Sequence, residues 1–472
     1  MTWLWERYHD GGGSATIPLS RMPDPDKGVT VLSSTRPTRR TRRVVAATAG
    51  VATLALALTA CGGSDDGGED TASGDEKITL TVATFNQFGY TDELLASYTE
   101  DHPNVTVKQV TAATSEDARN NLTTKLAAGG EGLADIEAIE VDWLPELMQY
   151  PDLFVDLTDP ALDGRWVDWK VQQATTPEGQ LLGYGTDIGP EAICYRADLF
   201  EKAGLPTDRE KVAEFLGGED ATWDDYFEAG KKFVAKSDSA WFDGAVPTYQ
   251  GMVNQLEGAY EDPSTGEPKD LKTNQDIKDL YDQVLTASVD DDLSAGLEQW
   301  GDDWTAGFQN NAWATMLCPP WMTASIEQNA GGVEGWDVAD VFPGGGGNWG
   351  GSFLTVPASG ENTDAAKELA AWLTSPEIQT KAYENANTFP SQLDAQASDA
   401  VQDSTNDFFN DAPVGPIFSA RAQAIEGAPF KGKNYFAIHQ AVQNALNRVD
   451  LNGDDPEKSW QGALDEYASL GL

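Results

Sequence analysis

From Ile78 to Val141 the sequence switches repeatedly between two periodicities, and this alternation restricts the fold more than any other feature. Residues 78–83, Ile-Thr-Leu-Thr-Val-Ala, alternate β-branched and apolar positions and predict a strand. Residues 91–101 set Leu94, Leu95 and Tyr98 on one helical face, and 105–110 alternate again. Residues 118–128 then read as a helix and 135–141 as a third strand. A β-α-β-α-β order predicts a mostly parallel sheet covered by helices, because parallel neighbours need a crossover long enough to hold a helix. Short β segments recur at 183–195, and Thr222-Trp223-Asp224-Asp225 carries the spacing of a capping box, opening a helix through Tyr226, Phe227 and Phe233. Ser375-Pro376-Glu377 and Asp455-Pro456-Glu457 each place a cap, a proline and an acid where a helix begins. Residues 365–373, 436–449 and 460–470 complete an α/β chain with extra C-terminal helices and no tandem repeat.

Ahead of this region, Arg36, Arg39, Arg40, Arg42 and Arg43 form a basic cluster, followed by the uncharged stretch 44–58 and then Leu58-Thr59-Ala60-Cys61. A basic region, a short apolar run and small residues describe a secretory signal. The run is about 15 residues, short of the roughly 20 that span a bilayer as a helix. The segment resembles a bacterial lipoprotein signal, in which the closing cysteine becomes the lipidated first residue; here that residue is Cys61. The competing reading is a chance cysteine behind a short membrane anchor. Residues 1–30 carry mixed charge and three consecutive glycines with no apolar core, so translation is expected to start near Val29 or Val31. Residues 1–60 are thus a signal peptide with an upstream over-extension. Residues 61–76, almost entirely polar and glycine-rich, are a lipidated flexible tether.

The full chain has 31 basic and 77 acidic residues, and losing 1–60 removes 8 of the first and 4 of the second, leaving 23 against 73. Such an excess of negative charge disfavours nucleic acid, whose phosphates need basic patches, and an anionic lipid surface equally. Fifteen tryptophans distinguish the chain from acidic disordered sequences and can support a large core.

Catalytic patterns are sparse. There is no G-x-S-x-G elbow and no H-E-x-x-H helix. His102 and His439 stand alone and read as solvated or structural. The glycines at 344–347 lack the Lys-Ser or Lys-Thr of a phosphate loop. Asp450, Asn452 and Asp454 hint at a calcium loop, but Asp455 replaces the required glycine and Gln461 the bidentate glutamate. No metal and no cofactor is expected. A secreted glycoside hydrolase, with two carboxyl groups flanking one bond, is the enzyme alternative, although no pair stands out among so many acids.

Several blocks then occur in a telling order. Ala192-Ile193-Cys194-Tyr195-Arg196-Ala197-Asp198-Leu199-Phe200-Glu201-Lys202-Ala203-Gly204-Leu205 is similar to a "YN-x-DLF-x-KAGL" block, with Arg196 in place of the usual Asn. The Thr222 helix start follows. Phe308-Gln309-Asn310-Asn311-Ala312-Trp313-Ala314-Thr315-Met316 is similar to "F-x-x-G-x-x-A-M", with Asn311 where Gly is common. Pro343-Gly344, Gly350-Gly351, Ala365-Ala366 and Trp372-Leu373-Thr374-Ser375-Pro376-Glu377 complete the series. Together they cover most of 78–472, and the chain resembles the bacterial extracellular solute-binding proteins of sugar ABC importers, in the maltodextrin-binding-like group.

That resemblance implies a two-lobe periplasmic-binding-protein-like fold of type II, α/β with mixed sheets flanked by helices and a ligand cleft between the lobes. Lobe 1 would comprise 77–188 and 339–389, and lobe 2 would comprise 189–338 and 390–472. It implies a monomeric, non-enzymatic lipoprotein, anchored through Cys61 on the extracellular face of the cell membrane. This protein would pass an oligosaccharide of two or more rings to ABC permease subunits. The alternative within binding proteins is a non-sugar solute such as a peptide. Cys194 and Cys318 fall on one lobe, which allows a disulfide; two separate buried thiols are the other reading.

A sugar cleft needs flat aromatic rings for C–H faces and carboxylate or amide groups for hydroxyls. Loop ends beyond the strands are where such groups collect in α/β folds. Candidates after the first strand are Phe85, Gln87 and Tyr90, and those after the third are Glu140 and Asp142. Asp187 lies near the hinge. Trp241 and Tyr249 come from the second lobe. The resemblance implies that Trp321 is the leading aromatic, because in that family an aromatic after this strand, here Met316-Leu317-Cys318 and two prolines, commonly stacks on sugar. The run Asn348-Trp349-Gly350-Gly351-Ser352 supplies Asn348, Trp349, Gly350 and Ser352, its glycines permitting close backbone approach, and its surroundings resemble binding proteins for β-linked oligosaccharides such as cellobiose. Tyr435 borders the site from a late loop. Trp304, Trp313, Trp336, Trp372 and Trp460 sit in or near helical patterns and are expected in the core.

Overall fold

The computed structural model describes residues 77–425 and 427–472. The signal, Cys61 and the tether lie outside the described residues. The alternating segment forms strands β1 (Ile78–Phe85), β2 (Val105–Ala112) and β3 (Ile136–Glu140), with helices Asp92–Asp101 and Ser115–Ala127 between them. β4 (Gly183–Gly185), β5 (Ala192–Arg196), β6 (Thr315–Cys318), β7 (Trp336–Ala339) and β8 (Ser352–Thr355) follow.

Two sheets result. The first has the order β2-β1-β3-β8-β4, and the second β6-β5-β7. Among the eight strands of the described residues, β1, β2 and β3 alone pair in parallel; β8 enters between β3 and β4 antiparallel to both, and the second sheet is wholly antiparallel. The mostly parallel arrangement predicted from 78–141 therefore holds for those strands alone, because β8 is a returning segment with no crossover helix of its own beside β3.

Local signals account for the helix starts. Thr222 accepts from the Asp225 amide while the Asp225 carboxylate takes the Thr222 amide, closing the capping box on Trp223–Val234. Ser375 and Asp455 cap Pro376–Ala386 and Pro456–Ser469, each with proline in the first turn. In lone helices such caps are worth about 1 kcal/mol each, so they set boundaries and leave stability to the core.

Leu80, Val82, Ile139, Phe353 and Leu369 belong to one core, built on the first sheet. Ile193, Phe200, Trp241, Tyr249 and Val442 belong to a second. A third cluster gathers Trp304, Phe308, Trp313 and Trp336 around Cys194 and Cys318. Ala339, Val341 and Phe342 pack in the second core, and Tyr383 and Phe389 in the third. Between the sheets the chain passes through 186–191, 347–352 and 388–391, which touch at the bridges Asp187–Pro390 and Pro190–Asn348. Cys194 and Cys318, on adjoining strands β5 and β6, are joined by a disulfide with a Cα–Cα distance of 5.4 Å.

Candidate functional site

Strand ends and crossing segments converge on a cleft of about 370 Å³, within the usual range for small-molecule sites. β1 delivers its loop to one side. Phe85 and Phe88 meet edge to face at 5.1 Å, and both line the cleft with Tyr90. Gly89, at φ +71°, passes the Ala382 backbone so closely that a Cβ would collide with it, which fixes the turn between Phe88 and Tyr90. Gln87 reaches across, its Nε2 donating to Gln328 Oε1 at 2.7 Å on the helix Pro320–Ala330.

β3 ends in the acidic group. Glu140 accepts the Asp142 amide at 2.8 Å, and Asp142 is ion-paired with Lys431 from the late loop on the opposite side. Burial pushes the Glu140 carboxyl up to about 8, Asp142 reinforces the shift, and Lys431 opposes it. Because this folded value lies above the ordinary one, the contribution of Glu140 to stability is complete below about pH 4.5 and is lost as pH rises through 8. Glu140→Gln should cancel that loss. Urea unfolding is expected to find the variant gaining on the parent by on the order of 2 kcal/mol between pH 4 and 9. A pH-independent difference would show that folding leaves the Glu140 carboxyl at its ordinary value.

The crossing segments form the floor. Asp187 Oδ1 accepts from Thr186 Oγ1 at 2.6 Å and from the Ser352 amide at 2.9 Å. Gly351, at φ +97°, leaves room for this group: a Cβ there would stand 2.7 Å from both the Asp187 carbonyl oxygen and Lys170 Nζ. Lys170 is buried, its ammonium 3.9 Å above the Phe353 ring and without a hydrogen-bond partner, and burial lowers it to about 8 against the pull of Asp187 and Glu140.

Trp321 and Trp349 make the aromatic wall, edge to face at 5.5 Å and 80°, with Trp321 Nε1 donating to the Trp349 carbonyl at 3.1 Å. Pro320 opens the helix that carries Trp321, so the strand β6, two prolines and the indole form one stiff lead-in. Gly350 lies beside Trp321 Nε1 and Glu140, linking wall to acids.

Ten of the sequence candidates thus line one cleft: Phe85, Gln87, Tyr90, Glu140, Asp142, Asp187, Trp321, Trp349, Gly350 and Ser352. Four do not. Trp241 is fully buried among Phe200, Tyr226 and Phe233, because Gly230 opens a slot for its ring. Tyr249 is fully buried with its hydroxyl 2.7 Å from that of Tyr260. Tyr435 packs beneath Lys431 and beside His439. Asn348 is a staple: its Oδ1 accepts the Gly189 amide at 2.9 Å and its Nδ2 donates to the Gly350 carbonyl at 3.0 Å, so both ends of its amide are engaged with backbone.

Other groups arrive unannounced. His439 faces the cleft although it read as isolated. Tyr260 lies 2.8 Å from its Nδ1 and Gln250 Oε1 2.7 Å from its Nε2, and burial holds it neutral, down to about 4. Phe436, Gln440 and Gln443 flank it on one face of the helix Tyr435–Asp450. This i, i+3, i+4, i+7 stripe of aromatic and polar residues was visible in the sequence, but resembled an ordinary half-buried helix face. Gln299 and Trp300 also line the cleft, from a turn with no periodicity to mark it.

Comparison with known proteins agrees with this architecture. The family model described as bacterial extracellular solute-binding protein matches residues 93–410, more than half of the 472-residue chain. Two curated relatives, arabinooligosaccharide-binding proteins of Halalkalibacterium halodurans and Bacillus subtilis, are each 24% identical; the first alignment covers 77% of this chain and 78% of the relative, the second 68% and 73%. A solved structure of an extracellular solute-binding protein of family 1 is 47% identical, with a TM-score of 0.74, covering 84% of this chain and 100% of that one. An ABC-transporter-associated binding protein of B. animalis subsp. lactis Bl-04, solved with β-1,6-galactobiose, is 21% identical with a TM-score of 0.68 and coverage of 84% and 97%. The chain belongs to the bacterial extracellular solute-binding proteins, and its fold is their two-lobe α/β fold.

Proposed function

We propose that this protein captures an oligosaccharide outside the cell, closes its lobes over it, and delivers it unaltered to the permease of an ABC importer. The observation that carries the reading is the cleft itself: the Trp321–Trp349 indole pair lines it together with the carboxyl and amide groups of Glu140, Asp142, Asp187 and Gln87. Rings take the weakly apolar faces of a sugar, and the acids and amides take its hydroxyls. Ligand touching both sides favours the closed form by its extra contacts there. The names of the arabinooligosaccharide-binding relatives and the galactobiose complex support a sugar over a peptide.

The lobes we assign are 77–188 with 339–389 and 189–338 with 390–472, supported by the separation of the first two cores, although 339–342 packs with the second core and Tyr383 and Phe389 pack with lobe 2 residues in the third cluster. Anchoring through Cys61 on the outer face of the membrane is part of the same proposal, as is a monomeric state. Fatty-acid labelling of cells should mark the intact chain and not Cys61→Ala.

Thermal denaturation with and without arabino-, galacto- and cello-oligosaccharides tests the reading. A bound sugar raises the midpoint by mass action and is recovered intact. No shift with any sugar would refute sugar capture, and shorter products would mean a hydrolase. Trp321→Ala should weaken binding of the cognate sugar by about 1–3 kcal/mol. Isothermal titration decides it, and unchanged affinity removes Trp321 from the site.

A further inference from the structure

Trp300 occupies an unusual backbone position on the cleft rim. The Gly301 amide donates to the Glu298 carbonyl at 3.2 Å, closing a turn over Glu298-Gln299-Trp300-Gly301. Trp300 is its third residue and sits at φ +71°, whereas Gln299 is not in the left-handed region. This is the pattern of a type II turn, whose third position ordinarily takes Gly or Asn. A bulky aromatic there is strained, and such strain persists where the surroundings impose it, often at ligand clamps.

The surroundings do impose it. Gln299 Nε2 and Trp304 Nε1 both donate to Asp243 Oδ2, at 2.8 and 2.9 Å, and the Leu297 amide donates to the Asp243 carbonyl at 3.1 Å. Asp243 is buried, so it anchors the turn on both sides of Trp300. Trp300 is 41% exposed, the most exposed of the cleft tryptophans. Its ring lies 6.2 Å from that of Trp321 and inclined to it by only 26°. Two near-parallel plates therefore adjoin, one half-buried and one at the mouth.

We propose that Trp300 is an outer sugar platform, so that the cleft holds an oligosaccharide of at least three rings and grips it harder than the corresponding disaccharide. This inference rests on the sugar-capture reading. Trp321 and Trp349 hold the inner rings, and Trp300 meets a ring beyond them.

The test uses isothermal titration with arabino-, β-1,6-galacto- and cello-oligosaccharide series of two to five rings, continuing with the series that the unsubstituted protein binds. In Trp300→Ala the affinity for four- and five-ring members is expected to fall about three- to tenfold, the worth of one stacked ring. The two-ring member should be unaffected. Trp300→Gly should lose the same chain-length preference while its thermal midpoint holds or rises, because glycine accepts the left-handed backbone. An equal loss at every length, no loss at any, or a lowered midpoint in Trp300→Gly with chain-length preference intact would overturn the proposal. Absence of binding by the unsubstituted protein would instead overturn sugar capture itself.

Discussion

Replacing Cys194 and Cys318 together by alanine is expected to lower stability by about 2–5 kcal/mol. The bond joins residues 124 apart, and closing a loop of that order removes close to 5 kcal/mol of chain entropy from the unfolded state in the simplest account. The native state does not depend on it alone. Cys194 and Cys318 are fully buried in the cluster with Met316, Met322 and Trp336, on strands that also pair through backbone hydrogen bonds. The double variant should therefore still fold, with its denaturation midpoint displaced and its sheet intact. Sugar affinity should fall less than stability, since Trp321 is held by its proline lead-in and by the Trp349 carbonyl as well as by Cys318. Equilibrium denaturation of parent and variant, and titration of both, separate the two effects. A change below about 0.5 kcal/mol would mean that β5 and β6 already confine the unfolded ensemble as tightly as the bond does.

What the sequence discloses and what it hides divide along a physical line. Helix starts at Thr222, Ser375 and Asp455 were legible because a cap is a contact between residues three apart. Trp349 and Gly350 were legible because glycines mark their loop, and Trp321 because the family resemblance implies a sugar-stacking aromatic after its strand. Trp241 and Tyr249 misled because an aromatic ring serves a core and a sugar face equally well, and only the slot at Gly230 or the partner at Tyr260 decides which. Lys431 and Lys170 were missed because their meaning lies in Asp142, Asp187 and Glu140, which come from the other end of the chain or from a neighbouring strand. Trp300 escaped notice because the glycine of its turn, Gly301, stands at the fourth position and not at the third, where it would advertise such a bend. The antiparallel β8 was invisible for a similar reason: four buried residues carry no alternation, and their partners are more than 150 residues away in sequence.

The two departures from the family pattern, Arg196 and Asn311, prove to be a single contact. Arg196 is only 2% exposed, its guanidinium bonded to Asp198 through Nε at 2.8 Å and to Asn311 Oδ1 through Nη2 at 2.7 Å. Asn311 ends the helix Asp302–Asn310 in the left-handed region, φ +57°, where Gly is the easiest residue and Asn the next. A glycine there would relax the backbone but leave Arg196 short of an acceptor; an asparagine at 196 would leave Asn311 without its donor. Arg196→Asn alone is expected to cost about 2–4 kcal/mol, since it also forfeits contact with Trp336 and leaves Asp198 to Lys202. Asn311→Gly alone should cost about 1 kcal/mol, the lost charge-assisted bond less the relieved strain. The double variant, which restores both usual residues, should then cost less than the sum by about 1–2 kcal/mol. Urea midpoints of the four proteins give that coupling directly. Additivity within about 0.5 kcal/mol would show the two substitutions to be independent. Coupling of the expected size would mean that each residue is tolerated at its position because of the other.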